Sequence, residues 1–291
     1  MCLNKMVVAT VVLAFAMVVA EHPPWSSKTS DLNTYGYAQF SAIPMRREAD
    51  HCSEMVNQAM LGEPMEFLAN KALWTKVRLA HDGYEGWVLT AQLLTIDQLT
   101  YRALIEQTQE LVADGINLLE HESPEKTRVV AAGALLPNYN PSTGQLSLGQ
   151  DSFQFEGLLS NRETTRDNVL MHAYTFLHAP YLWGGRTVMG IDCSGLSQMA
   201  YRLSGITLLR DASQQATQGE TVDFLTEAQP GDLVFFDNDQ GVITHVGIFL
   251  RQDHILHASG SVRIDGLDQT GIYNADTGKH SHQLRLIKRY F

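Results

Sequence analysis

A chain of 291 residues with 44% hydrophobic and 18% charged residues has the make-up of a globular protein with room for two or three domains, which excludes a disordered chain. Its formal net charge of −11 argues against nucleic acid as a partner, because phosphate binding depends on lysine and arginine. Of the 3 cysteines, Cys2 precedes an apolar leader, so Cys52 and Cys193 either bridge each other or leave one reactive thiol.

Residues 1–20 read as a cleaved export signal. Lys5 supplies the positive start, Met6 to Val19 is apolar apart from Thr10, and Val18-Val19-Ala20 meets the small-residue requirement for cleavage. The apolar run is short for a membrane span, with an uncleaved anchor as the alternative, and no long apolar stretch recurs after Ala20. The expectation is a secreted or periplasmic protein with no stable membrane insertion once the signal is removed.

Residues 21–34 are a polar, proline-led lead-in. From Tyr35 to Leu94 the pattern is one of short strands. In Trp74 to Ala80, Thr75, Val77 and Leu79 share one face and Lys76 and Arg78 the other; His81-Asp82-Gly83 then turns the chain into Tyr84–Leu89. Thr95-Ile-Asp-Gln98 matches a capping box before a short helix. Gln145-Leu-Ser-Leu and Phe153-Gln-Phe alternate within a second small β module.

The pattern changes after about residue 165. Arg166 to His178 suits a helix, followed by the Pro180 break and a Trp183-Gly-Gly-Arg loop. From Cys193 to Ser204, Leu196, Met199, Ala200 and Leu203 form the apolar stripe of a second helix, with Asp192 as N-cap and Gly205 as stop. Four strand candidates follow, at 233–237, 244–250, 254–259 and 284–290. Helices followed by an antiparallel sheet make an α+β arrangement.

Nucleophilic attack needs a thiolate, and Cys193 begins a helix whose positive end favours one. A base would come from His245 or His257 on the adjacent strands. Both imidazoles face one side only if the hairpin loop around Arg251 has an odd number of residues; His245 then takes the thiol proton while His257 orients its ring. On that reading the rate rises as the pair reaches its ion-pair form and falls when His245 loses its proton. A zinc site made of Cys193, His245 and His257 is the competing chemistry, although no CxxC or HExxH occurs.

Tyr181-Leu-Trp-Gly-Gly185, Gly190-Ile-Asp-Cys-Ser-Gly195, Pro230-Gly-Asp-Leu-Val-Phe-Phe236 and His245-Val-Gly-Ile248 resemble the successive signatures of the NlpC/P60 family of cell-wall cysteine peptidases. Leu61-Gly-Glu63, Trp74 and Gly83-Tyr-Glu-Gly-Trp87 resemble those of a bacterial SH3 domain. The resemblance implies an α+β fold in which a papain-like NlpC/P60 domain follows one or two small SH3-like β-barrel modules. The expected divisions are signal 1–20, SH3-like domain 21–94, second SH3-like β module and linker 95–164, and peptidase domain 165–291. It also implies Cys193 as nucleophile, His245 as base, His257 as third polar residue, and Tyr181 holding the oxyanion beside the Cys193 N–H.

The whole layout resembles the subgroup of γ-D-glutamyl-L-diamino-acid endopeptidases, in which the SH3 domain closes one end of the cleft. The resemblance implies peptidoglycan-derived peptides (muropeptides) with a free N-terminal L-Ala as substrates, cut after γ-D-Glu, and no cofactor or metal. A buried ammonium calls for acidic partners. These are expected to be Glu48 (Glu54 as fallback), with Tyr84, from the SH3 domain, and Asp211 after the catalytic helix. Asp192, Ser194 and Trp183 are expected along the cleft, and Ala212 stands where a serine is often found. Two alternatives remain: a wall-binding SH3 protein whose peptidase domain is idle, and the same fold turned to acyl transfer or deacylation. The latter is disfavoured because such relatives place His before Cys.

Overall fold

The run Trp74–Leu79 buries Thr75, Val77 and Leu79 and leaves Arg78 exposed, the period-two pattern of a half-buried strand. It pairs antiparallel with Glu85–Leu89 across a turn in which Gly83 adopts φ +72°, a conformation that favours glycine. Both belong to a seven-stranded antiparallel sheet with the order Met55–Met60, Ala42–Arg46, Glu85–Leu89, Trp74–Leu79, Pro64–Lys71, Tyr35–Ala38, Leu93–Ile96. Ile43, Met45, Met65, Val77 and Val88 fill its interior. The described residues of this computed structural model are 34–291; the expected export signal, Cys2 and the lead-in through residue 33 lie outside them.

The helix Gln98–Glu106 starts later than the capping-box reading has it. Asp97, not Thr95, caps it, with Oδ1 accepting from Thr100 N at 2.8 Å, because Thr95 is still in the strand paired with Tyr35–Ala38. Beyond it lie short two-stranded pairs: Ile116–Leu119 with Arg128–Ala131, Glu110–Leu111 with Leu135–Leu136, and Gln145–Leu148 with Asp151–Gln154. Their Leu146, Leu148, Phe153 and Phe155 share one core with Tyr37 and Leu61 of the preceding sheet, so this segment packs onto the first module.

The helix Arg166–Tyr174, capped by Thr165, stops short of the expected end, and His178 takes φ +68°. The helix Cys193–Leu203 buries its whole predicted stripe, Leu196, Met199, Ala200 and Leu203, against Val246, Ile248 and Leu256. Each large side chain in such a stripe contributes about 1.5–3 kcal/mol over an exposed one. The sheet beneath runs Glu220–Val222, Lys279–Arg289, Leu233–Asp237, Ile243–Phe249, His254–Ser259, Ser261–Leu267, Gly271–Asn274. Gly271–Asn274 also pairs with the start of Lys279–Arg289, which closes the circuit. Of these, Glu220–Val222, Ser261–Leu267 and Gly271–Asn274 are strands the periodicity did not announce.

The N-terminal sheet docks on the helix Cys193–Leu203 and the segment before it through buried charge. Glu63 and Arg186 are both fully buried 3.0 Å apart, and Arg202 from the helix reaches Glu63 at 3.1 Å. Burial opposes ionisation of Glu63, yet Arg186, His81 and Arg202 hold its carboxyl at about 2. Among the described residues no helix is long and apolar enough to cross a membrane.

Candidate active site

Asp192 organises the head of the helix Cys193–Leu203. Its Oδ1 accepts from Gly195 N at 2.7 Å, the N-cap bond, and its Oδ2 from Gly184 N at 2.8 Å. Arg210 grips the same carboxylate as a fork, Nη1 to Oδ1 at 3.0 Å and Nη2 to Oδ2 at 2.7 Å. Its Nη1 also donates to Ser194 Oγ at 2.8 Å and its Nε to Asn57 Oδ1 of the SH3 module at 2.7 Å. Asp192 and Ser194 thus line the cleft as expected, but their oxygens already serve the helix start and Arg210.

The hairpin joining the histidine strands meets the parity condition. Leu250 N donates to His254 O at 2.7 Å, leaving three residues, 251–253, in the loop, with Gln252 and Asp253 at positive φ. Gly247 therefore lies opposite His257, and His245 lies diagonal to it with Nε2 2.9 Å from His257 Nδ1. A Cβ on Gly247 would meet His257 Cβ at 3.0 Å and Ile255 Cδ1 at 2.6 Å, so only glycine leaves room for this approach. His257 Nε2 in turn lies 3.0 Å from Asp265 Oδ2, and Arg263 Nη2 donates to Asp265 Oδ1 at 2.8 Å. A third imidazole, His282, stacks on His245 with centroids 4.1 Å apart at 21°.

Cys193 is buried where the helix head meets the His245 strand: the backbone N–H groups of Val246 and Ser194 are directed at its sulfur. Burial first, and then the Asp192 carboxylate, nevertheless push the thiol up to about 12. Burial, then His282 and His257, hold His245 well below the usual histidine range. Burial therefore opposes the expected ion pair, because it disfavours both the thiolate and the imidazolium. The carboxylate that caps the helix offsets the positive helix end.

The pH dependence follows. An imidazole base works only when neutral, and the His245 value is lowered, so with His245 in that role kcat is expected to rise with pH through an acid limb below about 6.5, the ordinary histidine value. It then stays flat through pH 9, because the thiol value is raised. A kcat profile falling between pH 7 and 9 would contradict the raised thiol and lowered imidazole values.

Tyr181 packs beside this centre. Burial, then Cys193 and Asp192, push its hydroxyl above the ordinary tyrosine range. Cys52 is exposed and Cys193 buried, and the two are not bridged. Both ring nitrogens of His257 are engaged, by His245 and Asp265, so the competing zinc set lacks a free ligand atom there.

The cleft over Cys193 has a volume of about 340 Å³ and is walled by Arg47, Glu54 and Tyr84 of the SH3 module and by Trp183 and Asp211. Tyr84 Oη donates to Asp211 Oδ1 at 3.5 Å; burial and then Asp211 push the phenol up to about 12, and burial raises Asp211 as well. Trp183 Nε1 donates to Glu54 Oε1 at 2.8 Å, and Arg47 pairs with Glu54 Oε2 at 2.7 Å. The choice of Glu48 over Glu54 is therefore reversed. Arg47 N bonds Glu54 O at 3.0 Å and closes the hairpin, so Glu48 falls in the exposed loop beyond that rung and does not line the cleft.

Asp265, Arg210, Arg47 and His282 escaped the sequence reading. Arg210 stands beside Asp211 and could have been singled out as a charged neighbour. Asp265 lies in a strand whose Ile264 is exposed while the aspartate is buried, the reverse of the usual alternation.

The profile of the NlpC/P60 family matches residues 178–281, and that of the bacterial dipeptidyl-peptidase SH3 domain matches residues 45–93. Dipeptidyl-peptidase 6 of Lysinibacillus sphaericus is 29% identical over 255 residues, covering 79% of this chain and 90% of the relative. A γ-D-glutamyl-L-lysine dipeptidyl-peptidase of Bacillus cereus is 27% identical over 282 residues, covering 84% of this chain and 80% of the relative. The fold is similar to the crystal structure of an NlpC/P60 family protein from Bacillus cereus, with a TM-score of 0.74 at 22% identity over 88% of this chain and 99% of the other.

Proposed function

We propose, from the premise that this chain carries an NlpC/P60 cysteine-peptidase domain behind a bacterial SH3 domain, that it cuts muropeptides beginning with a free L-Ala between γ-D-Glu and the following diamino acid. One observation carries the reading: Tyr84 and Glu54 of the SH3 module share a single cleft with Cys193 and Asp211. A cleft of about 340 Å³ walled by both modules fits a short peptide, and the Asp211 and Glu54 carboxylates with the Tyr84 phenol there fit an ammonium group.

In this reading Cys193 Sγ attacks the γ-carbonyl while His245 takes the thiol proton. The developing oxyanion sits against the Cys193 N–H and the Tyr181 hydroxyl. Collapse expels the diamino acid's amine, which receives the proton from His245 and leaves L-Ala-γ-D-Glu as a thioester on Cys193. Water, deprotonated by the same imidazole, then releases the dipeptide. The substrate ammonium pairs with Asp211, whose raised value falls as the cation arrives, and with Glu54 as the outer acid.

The test offers L-Ala-γ-D-Glu-diaminopimelate, its lysine counterpart and their N-acetylated twins, with products read by mass spectrometry. Acetylation is expected to lower kcat/KM by about 10–10²-fold, since it removes the charge that would pair with the half-buried Asp211 carboxylate. Equal cleavage of free and acetylated peptides would overturn the amine requirement. The reading of residues 1–20 as an export signal makes this a secreted or periplasmic enzyme, for which the expected mature N-terminus is Glu21.

A further inference from the structure

The three strands Ile243–Phe249, His254–Ser259 and Ser261–Leu267 are neighbours in the sheet, and they carry His245, His257 and Asp265 on one diagonal. Gly247 pairs with His257, which sets His245 one step off; Ile255 pairs with Asp265, which sets Asp265 one step off in its turn. The result is a line of contacts, His245 Nε2 to His257 Nδ1 at 2.9 Å and His257 Nε2 to Asp265 Oδ2 at 3.0 Å. Arg263 holds the other oxygen of Asp265 at 2.8 Å and continues to Asp276 at 2.7 Å. His257 and Asp265 are 1% and 4% exposed, so water does not compete for these atoms.

We infer that Asp265 is a positioning residue that sets the tautomers of both histidines, so that His245 presents an unprotonated Nδ1 to Cys193. The inference rests on the cysteine-peptidase reading of the site. Its logic is one of donors and acceptors. A carboxylate only accepts, so the hydrogen in the Asp265 contact sits on His257 Nε2. A neutral imidazole has a single N–H, which leaves His257 Nδ1 as an acceptor. The hydrogen in the 2.9 Å contact then sits on His245 Nε2. That assignment leaves the lone pair of His245 on Nδ1, the nitrogen a base must offer to the thiol.

Burial disfavours the doubly protonated form of His257, which would reverse the second contact. His257 alone does not fix the direction, because its ring serves equally well with either nitrogen protonated. Asp265 removes that symmetry. When His245 takes the thiol proton, its charge is also compensated through the neutral His257 by the same carboxylate.

The test is Asp265→Asn, whose amide can donate to His257 Nε2 and so invert both tautomers. The expected result is a kcat lowered by about 10²–10⁴-fold with KM within a few-fold; a wrong tautomer in a serine protease triad sets the upper figure. Asp265→Glu should recover part of the loss. Independently of turnover, ¹⁵N imidazole spectra of the intact wild-type protein should show His245 Nδ1 unprotonated at neutral pH and, in Asp265→Asn, protonated. A wild-type spectrum with His245 Nδ1 protonated overturns the inference, as does a folded Asp265→Asn enzyme with unchanged kcat. Should the wild-type protein cleave no muropeptide, the peptidase reading fails while the spectra still decide the role of Asp265.

Discussion

Cys193→Ala is expected to lower kcat by about 10⁵-fold or more while leaving binding of L-Ala-γ-D-Glu peptides within a few-fold of wild type. The substitution deletes only Sγ from a buried site, and an alanine side chain fits the space without overpacking it. Nothing else in the cleft replaces the lost nucleophile. The acids that would hold the substrate amine belong to Asp211 and Glu54, on other segments, so affinity should survive. Single-turnover mass spectrometry beside calorimetric titration separates the two quantities. Unchanged turnover would remove Cys193 from the mechanism. Binding by both proteins with turnover by neither would instead favour a wall-binding protein with an idle peptidase domain.

Arg210→Met should destabilise the fold by about 3–5 kcal/mol, read as a lower midpoint in urea unfolding. The arginine makes two bonds to Asp192, one to Ser194 and one to Asn57, all in a buried setting. Removing it leaves the buried Asp192 carboxylate with two backbone donors and the Ser194 hydroxyl but no cation, and the loss of a partner from a buried pair carries that cost. Arg210→Lys should recover little, because an ammonium cannot reach the carboxylate as a fork while also donating to Asn57. A loss below 1 kcal/mol would show that water or a rearranged neighbour takes the place of the guanidinium. The same variant should lower activity, since Asp192 caps the helix that presents Cys193.

These two residues mark different depths of legibility. Cys193 could be found from the sequence because its signals are local: an Asp cap, an apolar stripe at helical spacing, and a glycine stop. The pairing of His245 with His257 was legible as a condition, since strand parity leaves only odd loops able to face both rings one way. Arg210 was not legible as the clasp of the site, because its partners come from a loop, a helix head and another module, at separations no periodicity reports. The preference for Glu48 over Glu54 failed for a related reason. Which side chain reaches the cleft depends on where the hairpin closes, and the Arg47–Glu54 backbone bond decides that.

The amino-acid order alone determined most element types, the helix that carries the thiol and the candidate base, because spacing and capping act between near neighbours; Tyr84 and Asp211 came from the family resemblance. Only the tertiary structure decided that Asp265 is buried behind His257, that His282 stacks on His245, and that burial pushes the Cys193 thiol up. Each of these depends on which groups lose water together when distant strands close around them, and desolvation is a property of the packed assembly rather than of any segment.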